Sequence, residues 1–315
     1  MSRLIDTIRA KPDLMIWTKI YTTVTNDNGH RADVDLVLGD RDLPIINCSD
    51  IAEAVLCQDS ALGNWRKMPS HKPVYECTLL EYRTPKKERD WLPYSVGALV
   101  QEVVQWDEPW DPETPIEQMP FQPPFLQILL ICQMIKHGSV VYPIAEINFP
   151  LSTYGAVSDQ HYLCYPEHIF RDRSEEEIEL YGLMIDASLL PFLSVLGLLN
   201  CKNTNLRKLL PPEPLSRKHQ KKHGHPLVSY YVLDVKPFGS SGATRRDGPI
   251  TVEGEHFNRR LHWARGHFSH YSAEKKLFGK LEGTFWIPAH LRGSEKIGSI
   301  RKDYNIKKPE RGANE

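Results

Sequence analysis

The sequence lacks paired cysteines. Its cysteines stand singly with no CxxC pair, at positions 48, 57, 77, 132, 164 and 201. This spacing excludes a zinc ribbon and a disulfide framework, and isolated thiols are typical of proteins in a reducing compartment. The first ten residues are polar with only isolated apolar side chains, unlike a secretory signal. We therefore expect a cytoplasmic protein.

The common catalytic signatures are also missing. The chain contains no HExxH, GxxxxGK[ST], GxSxG or GxGxxG sequence, so zincin, P-loop, hydrolase and dinucleotide-binding functions have no support. No cofactor and no metal are expected. The histidines of segment 262–270 would fall on both faces of a strand, and those of segment 219–225 are surrounded by lysines.

No apolar run is typical of a membrane span. Residues 125–135 are too short for one, and residues 180–199 contain Asp186 near the middle and Pro191. The preceding Ser174 and Glu177 have the spacing of a capping box, which predicts a helix that begins in water. We expect a buried helix or helical hairpin that bends or breaks near Pro191, and no membrane partner.

The remaining pattern predicts an α+β fold. Strands are expected on both sides of the turn at Asn28-Gly29, over 73–82 and over 139–149, with helices over 4–9 and 124–137. Residues 105–124 are acidic and proline-bearing, which predicts a loop. Residues 1–208 are therefore expected to form an acidic, mixed α/β body.

The rest of the chain differs in composition. Residues 209–226 are rich in proline, lysine and histidine without apolar periodicity, which predicts an exposed linker. Residues 227–315 are expected to form a small, basic, mainly β module, which opens with a strand near 229–235. It would close with strands over 261–271, 283–293 and 300–307.

Charge is distributed unequally along the chain. Residues 1–200 carry 16 Lys and Arg against 29 Asp and Glu, whereas residues 201–315 carry 23 against 11. Eight of the thirteen histidines also lie in the last third. A basic segment of this kind attracts polyanions through phosphate neutralisation and counterion release. The alternative is that the basic part docks on the acidic part and neutralises it.

The basic segment supplies the candidate site residues. Arginine and lysine would contact phosphates, Trp263 or Trp286 would stack on bases, and the histidines would lie at the centre of the site. RNA is favoured because histidine and exposed aromatic rings suit unstacked bases. The predicted nucleic-acid-binding residues are Lys221, Lys222, Arg245, Arg246, Arg259, Arg260, Trp263, Arg265, His267, His290, Arg292 and Lys302.

Two other interpretations of these residues stay open. His267 and His290 could act as base and acid in metal-independent RNA cleavage, with Arg265 stabilising the charged phosphorus centre. The histidines and aromatic rings could instead be internal parts of a small sheet. In that case the chain would be a protein-interaction, inhibitor or structural protein without nucleic-acid contacts.

The C-terminal sequence resembles a known pattern. LHWARGHF (261–268), GTFWIPAHLRG (283–293) and IRKDYNIK (300–307), with LLNCKN at 198–203, are similar to a family of uncharacterised bacterial and bacteriophage proteins. That family shows an HxxRGH element, an aromatic strand, an HxRG turn and a terminal KDY. The resemblance implies a phage or prophage origin, a location in the host cytoplasm, and a host-takeover or defence-related role with a host protein as a second partner. It implies no established activity.

Overall fold

The structure is a computed structural model. The parts of the chain that it describes are residues 4–10, 23–25, 31–33, 43–57, 68, 70–104, 124–134, 140–152, 155–157, 162–164, 174–235, 260–264, 266–288, 290–292 and 294–299. Only the backbone and the pairing are described for the strands at 23–25, 31–33, 162–164, 260–264, 290–292 and 294–299. The expected acidic loop at 105–124 lies outside the described residues except for Pro124.

The fold is α+β, as the sequence predicts. The described helices are α1 (Leu4–Ala10), α2 (Ser49–Cys57), α3 (Glu175–Leu199) and α4 (Glu213–His223). The strands are β1 (Thr23–Thr25), β2 (Arg31–Asp33), β3 (Ile45–Asn47), β4 (Cys77–Arg83), β5 (Ser95–Val103), β6 (Phe125–Met134), β7 (Val140–Pro150), β8 (Tyr162–Cys164), β9 (Thr204–Leu209), β10 (Tyr230–Val235), β11 (Arg260–Ala264), β12 (His267–Tyr271), β13 (Gly283–Ile287), β14 (His290–Arg292) and β15 (Ser294–Ser299). A short 3-10 helix covers Lys86–Glu88.

One large mixed sheet organises the chain. Its eight strands lie in the order β8-β7-β6-β5-β4-β3-β10-β9, and all neighbours are antiparallel except β10–β3 and β3–β4. Three smaller groups of strands pair separately: β1 with β2, β12 with β13, and β11 between β14 and β15. The β1–β2 pair confirms the hairpin predicted around Asn28-Gly29.

The central strands of the large sheet are buried on both faces. Alternate residues of the central strands point to opposite faces, so Leu80 and Leu130 pack beneath α3 whereas Leu79 and Leu129 pack beneath α1. On the α3 side, the ring of Tyr82 lies 5.0 Å from that of Phe192 between centroids. The core is therefore a three-layer arrangement in which one face is covered by a long helix and the other by a short one.

The prediction of a helix over 124–137 is wrong, because residues 125–134 form β6. The strand pairs along its whole length with β5 and β7, and every residue from Phe125 to Cys132 is buried except for a slight exposure of Gln127. A strand buried on both faces has no apolar-polar alternation, so its sequence looks like that of a buried helix. The segment is a strand and not a helix because it lies between β5 and β7 in the sheet.

The long helix was predicted correctly. The Ser174 hydroxyl accepts a hydrogen bond from Glu177 N–H while the Glu177 carboxylate accepts one from Ser174 N–H, so the capping box is confirmed. The helix continues through Pro191, so the expected break does not occur. Among the described residues α3 alone is long and apolar enough to cross a membrane, and 67% of its most apolar window is buried inside the protein.

Two expectations about the C-terminal part require correction. The predicted linker 209–226 contains α4, an ordered helix of eleven residues. The strand predicted to open the separate basic module is β10, and it lies inside the large sheet between β3 and β9. An apolar strand such as YYVLDV needs two neighbours to satisfy its backbone, and the body supplies both. The predicted strand at 300–307 lies outside the described residues.

Two glycines of α3 provide a matched test of this packing. A methyl group at Gly197 would lie 1.8 Å from Met68 Sδ, whereas one at Gly182 would meet nothing within 4 Å. We expect Gly182→Ala to raise the free energy of unfolding by about 0.5–1 kcal/mol, because alanine restricts the unfolded chain. Gly197→Ala should lower it by about 1–3 kcal/mol through overpacking, with partial recovery in Gly197→Ala/Met68→Ala. Urea titration measures all three, and equal effects of the two alanines would contradict the packing described.

Candidate nucleic-acid interface

Helix α4 carries the basic cluster that the sequence placed in a linker. It begins with Glu213 and Pro214 and ends at Gly224, whose φ of 82° is the left-handed conformation that stops a helix. None of its residues is buried. The helix is tied to the body after its end, where Leu227 N–H donates to Ser216 Oγ (3.1 Å) and Val228 N–H donates to Asp6 Oδ1 of α1 (3.3 Å).

One face of α4 is cationic. Lys218, Lys221 and Lys222 follow one another at the i, i+3 and i+4 spacing, so they share a side of the helix, and all three are exposed. Arg217 is hydrogen-bonded to the carboxylate of Glu213 one turn earlier. Within the described parts of the chain, the three lysines have no ion pair. We call these three residues the lysine face.

Three half-buried imidazoles lie beside the lysine face. The ring centroids of His219, His223 and His225 are separated by 4.5, 4.9 and 6.5 Å. The Nδ1–H of His219 donates to the carbonyl of His225 at 3.0 Å, which ties the helix to the following turn. No group of three histidine, cysteine or acidic side chains in the described ranges is arranged to hold a metal ion.

Other cations near α4 are neutralised by the protein itself. On the edge strand β9, Arg207 Nε lies 2.7 Å from Asp234 Oδ2, and this hydrogen bond lowers the pKa of the Asp234 carboxyl below its ordinary value. Lys208 lies over the ring of Tyr231 at 5.9 Å. Both carboxylates belong to the basic segment 201–315 itself, so these pairs neutralise Arg207 and Arg217 locally and do not show the basic part docked on the acidic part.

The β12–β13 hairpin is fastened to the body by one amide side chain. Asn203 Nδ2 donates to the carbonyl oxygen of Trp286 (2.7 Å), and Asn203 Oδ1 accepts from Trp286 N–H (3.0 Å). Lys202 N–H also donates to the Thr284 carbonyl (2.8 Å). Asn203 thus takes the place of a neighbouring strand for β13. It joins LLNCKN and GTFWIPAH, two distant parts of the C-terminal pattern.

Trp286 belongs to the core of this contact and is not a stacking platform. It is 8% exposed, packs with Leu198 and Cys201, and lies 4.7 Å from the ring of Phe268 between centroids. Burial raises the pKa of the Cys201 thiol to about 12, against a weaker lowering by its hydrogen bond to the Trp286 backbone. For Phe268 and Trp286 the interpretation as internal parts of a small sheet is therefore correct.

The predicted strand over 261–271 is described as two strands, β11, which ends at Ala264, and β12, which begins at His267. Both parts pair with the 283–292 segment in one register: His267 is opposite Ile287, and Ala264 is opposite His290. His267 is exposed. The two histidines proposed for cleavage therefore occupy register positions three residues apart, which have opposite parity in a regular strand.

The other predicted site residues are placed only in part. Lys221 and Lys222 are exposed on α4, as described above. Only the backbone is described for Arg260 and Trp263 in β11 and for His290 and Arg292 in β14. Outside the described residues lie Arg245, Arg246, Arg259, Arg265 and Lys302.

A polar pocket that sequence reasoning missed lies elsewhere, at the ends of the parallel strands β3 and β4. It has a volume of about 230 Å³ and is lined by Leu4, Asn47, Ser49, Glu81, Tyr82, Arg83 and Ser95. Its polar groups already hold the fold together. The carboxylate of Glu81 accepts from Ile5 N–H (3.2 Å), and Ser49 Oγ accepts from Arg83 N–H (3.3 Å). The sequence signal for this pocket was the pair of charged residues Glu81 and Arg83 at alternate positions of β4.

Comparison of the chain with protein-family models, with curated proteins and with solved structures finds no match. The resemblance of the C-terminal pattern to bacteriophage proteins therefore stays a prediction.

The contact of Asn203 with Trp286 is open to a direct test. Asn203→Ala leaves a buried N–H and a buried carbonyl without partners, so we expect the free energy of unfolding to fall by about 2–4 kcal/mol. Asn205→Ala, at an exposed position of β9 two residues further on, serves as the control and should change it by less than about 1 kcal/mol. Urea titration measures both, and equal values for the two variants would contradict the role given to Asn203.

Proposed function

We propose that this protein binds single-stranded nucleic acid, RNA in preference to DNA, through the lysine face of α4. The observation that carries the proposal is the exposure of Lys218, Lys221 and Lys222 on one side of the helix, with no carboxylate partner in the described parts of the chain. The phosphates of a nucleic acid hold condensed cations, which lysines without ion-pair partners can replace, and the release of these cations drives binding.

The composition of α4 supports a surface role for these lysines. The helix has no apolar stripe and buries none of its residues, so its side chains contribute little to the core. A lysine near the C-terminal end of a helix also interacts favourably with the helix dipole, but that effect is worth only about 0.3–1 kcal/mol. The interaction with the helix dipole and the stop at Gly224 do not require three lysines on one side of the helix.

The preference for RNA comes from the neighbouring groups. Imidazole rings can both donate and accept hydrogen bonds, and His223 lies beside the lysine face with partial exposure. Base edges and 2′-hydroxyl groups of an unpaired strand offer partners of both kinds. Arg260, Trp263, Arg265, His267, His290, Arg292 and Lys302 stay predicted contacts in the same proposal.

Binding without cleavage is the function that we propose. The register of β11 and β12 against the 283–292 segment gives no support for a joint action of His267 and His290 on one phosphodiester. A phage or prophage origin, with a role in host takeover or defence, accompanies the proposal on the strength of the C-terminal resemblance.

Two double variants with the same change of charge test the proposal. Lys221→Ala/Lys222→Ala removes two phosphate contacts, whereas Lys86→Ala/Lys87→Ala removes two exposed lysines elsewhere on the protein. We expect the first to weaken binding of a labelled single-stranded RNA of about 20 nucleotides roughly tenfold and to reduce the slope of log K against log salt by about 1.4. The control pair should change neither quantity.

Fluorescence anisotropy between about 50 and 200 mM salt measures both quantities. The same sequence as DNA is run in parallel, and it should bind more weakly. Affinities that do not depend on salt, or equal losses in the two double variants, would overturn the proposed function.

A further inference from the structure

The loop of the β12–β13 hairpin presents an aromatic ring to solvent. Phe278 is 74% exposed, and its φ of 53° lies in the left-handed region that residues other than glycine rarely adopt. Gly279 follows with a φ of 70°, and the loop is closed by a bridge between Leu277 and Leu281. The backbone is therefore held in a defined conformation with the ring at its tip.

Burial of the ring does not account for the conformation of Phe278. A glycine would take this φ without steric conflict, and the ring, three-quarters exposed, gains little from burial in return. An aromatic residue retained in a left-handed conformation at a loop tip is a strained residue, and such residues are concentrated at ligand contacts.

The loop around this ring is basic. Lys275, Lys276 and Lys280 are exposed. Lys276 lies 3.6 Å from the carboxylate of Glu282, whereas Lys275 and Lys280 have no ion pair within the described ranges. With Glu274 also counted, the loop 272–282 has three cations against two anions, so its net charge suits an anionic partner.

We propose that Phe278 stacks on an unpaired base of single-stranded nucleic acid, with Lys275 and Lys280 on the flanking phosphates. The proposal rests on the proposed function and adds a base-contacting residue to it. Every base has a π-face, so one aromatic ring suffices for a contact that tolerates all sequences. A base inside a duplex is already stacked between its neighbours, so Phe278 favours single strands over duplexes.

The two basic features lie at opposite ends of β9. Lys202, just before β9, is bonded to the hairpin through Thr284, and α4 begins after the other end of the strand. Six residues of β-strand span roughly 20 Å. One short strand therefore connects the two basic features.

A lipid surface is the competing partner for an exposed Phe flanked by lysines. The exposed apolar part of the loop is small, since beside Phe278 only Leu281, at 44%, is a large apolar residue with substantial exposure. Membrane anchoring by apolar contact depends on buried apolar area, and one ring with one partly exposed leucine supplies little. Stacking needs one ring only, so the nucleic acid is favoured.

Three substitutions at Phe278 separate stacking from apolar contact. Phe278→Ala should weaken binding to single-stranded RNA about 5- to 50-fold and leave binding to the corresponding duplex unchanged. Phe278→Leu keeps the apolar volume but loses the π-face, so it should weaken binding nearly as much. Phe278→Trp should bind as tightly as the original protein or more tightly. The urea midpoint should stay constant across the series, because the ring is exposed.

The outcomes separate this proposal from the proposed function. If the original protein binds RNA with a steep dependence on salt but Phe278→Ala binds equally well, the stacking role is overturned and the lysine face stands. If no variant and no original protein binds RNA, both fail. Sedimentation with vesicles of phosphatidylcholine containing phosphatidylserine is measured in parallel, and binding to them that depends on Phe278, without an effect on RNA, would assign the loop to membranes and overturn the proposal.

Discussion

The side-chain amide of Asn203 is the interaction on which the arrangement of the C-terminal part depends. It satisfies both main-chain groups of Trp286 and so joins the β12–β13 hairpin to the segment that follows α3, the long helix packed on the large sheet. A buried N–H and carbonyl need partners, and an amide side chain provides a donor and an acceptor at the spacing of a strand neighbour. Through this contact the hairpin loop has a fixed position relative to β9 and to the basic helix beyond it.

Charge neutralisation inside the protein decides which cations are available to a partner. Arg207 and Arg217 have carboxylate partners, whereas the lysine face has none within the described residues. The excess of positive charge after residue 200 is therefore not a uniform property of that segment. The selective neutralisation leaves a surface of three lysines on a helix that buries none of its residues, and this surface is the physical basis of the proposal that a polyanion binds here.

The sequence predicted elements well where local signals and tertiary environment agreed. The capping box at Ser174 and the antiparallel strands on both sides of Asn28-Gly29 follow from local features, and both predictions were correct. The strand β6 was mistaken for a helix because burial on both faces removes alternation, and α4 was mistaken for a linker because a wholly polar helix has no apolar period. The local signals for the helix α4 were Pro214 in its first turn and Gly224 after its last turn. At the candidate site, the exposure of Lys221 and Lys222 was predictable from composition. The burial of Trp286 was not, since it depends on Asn203, 83 residues earlier.

The most direct test of the account is photochemical cross-linking of bound single-stranded RNA, with the cross-linked peptides identified by mass spectrometry. The account predicts cross-links in two segments, the helix Glu213–His223 and the loop 272–282, both competed away by salt. Cross-links confined to residues 1–200, or a pattern that salt does not change, would contradict it.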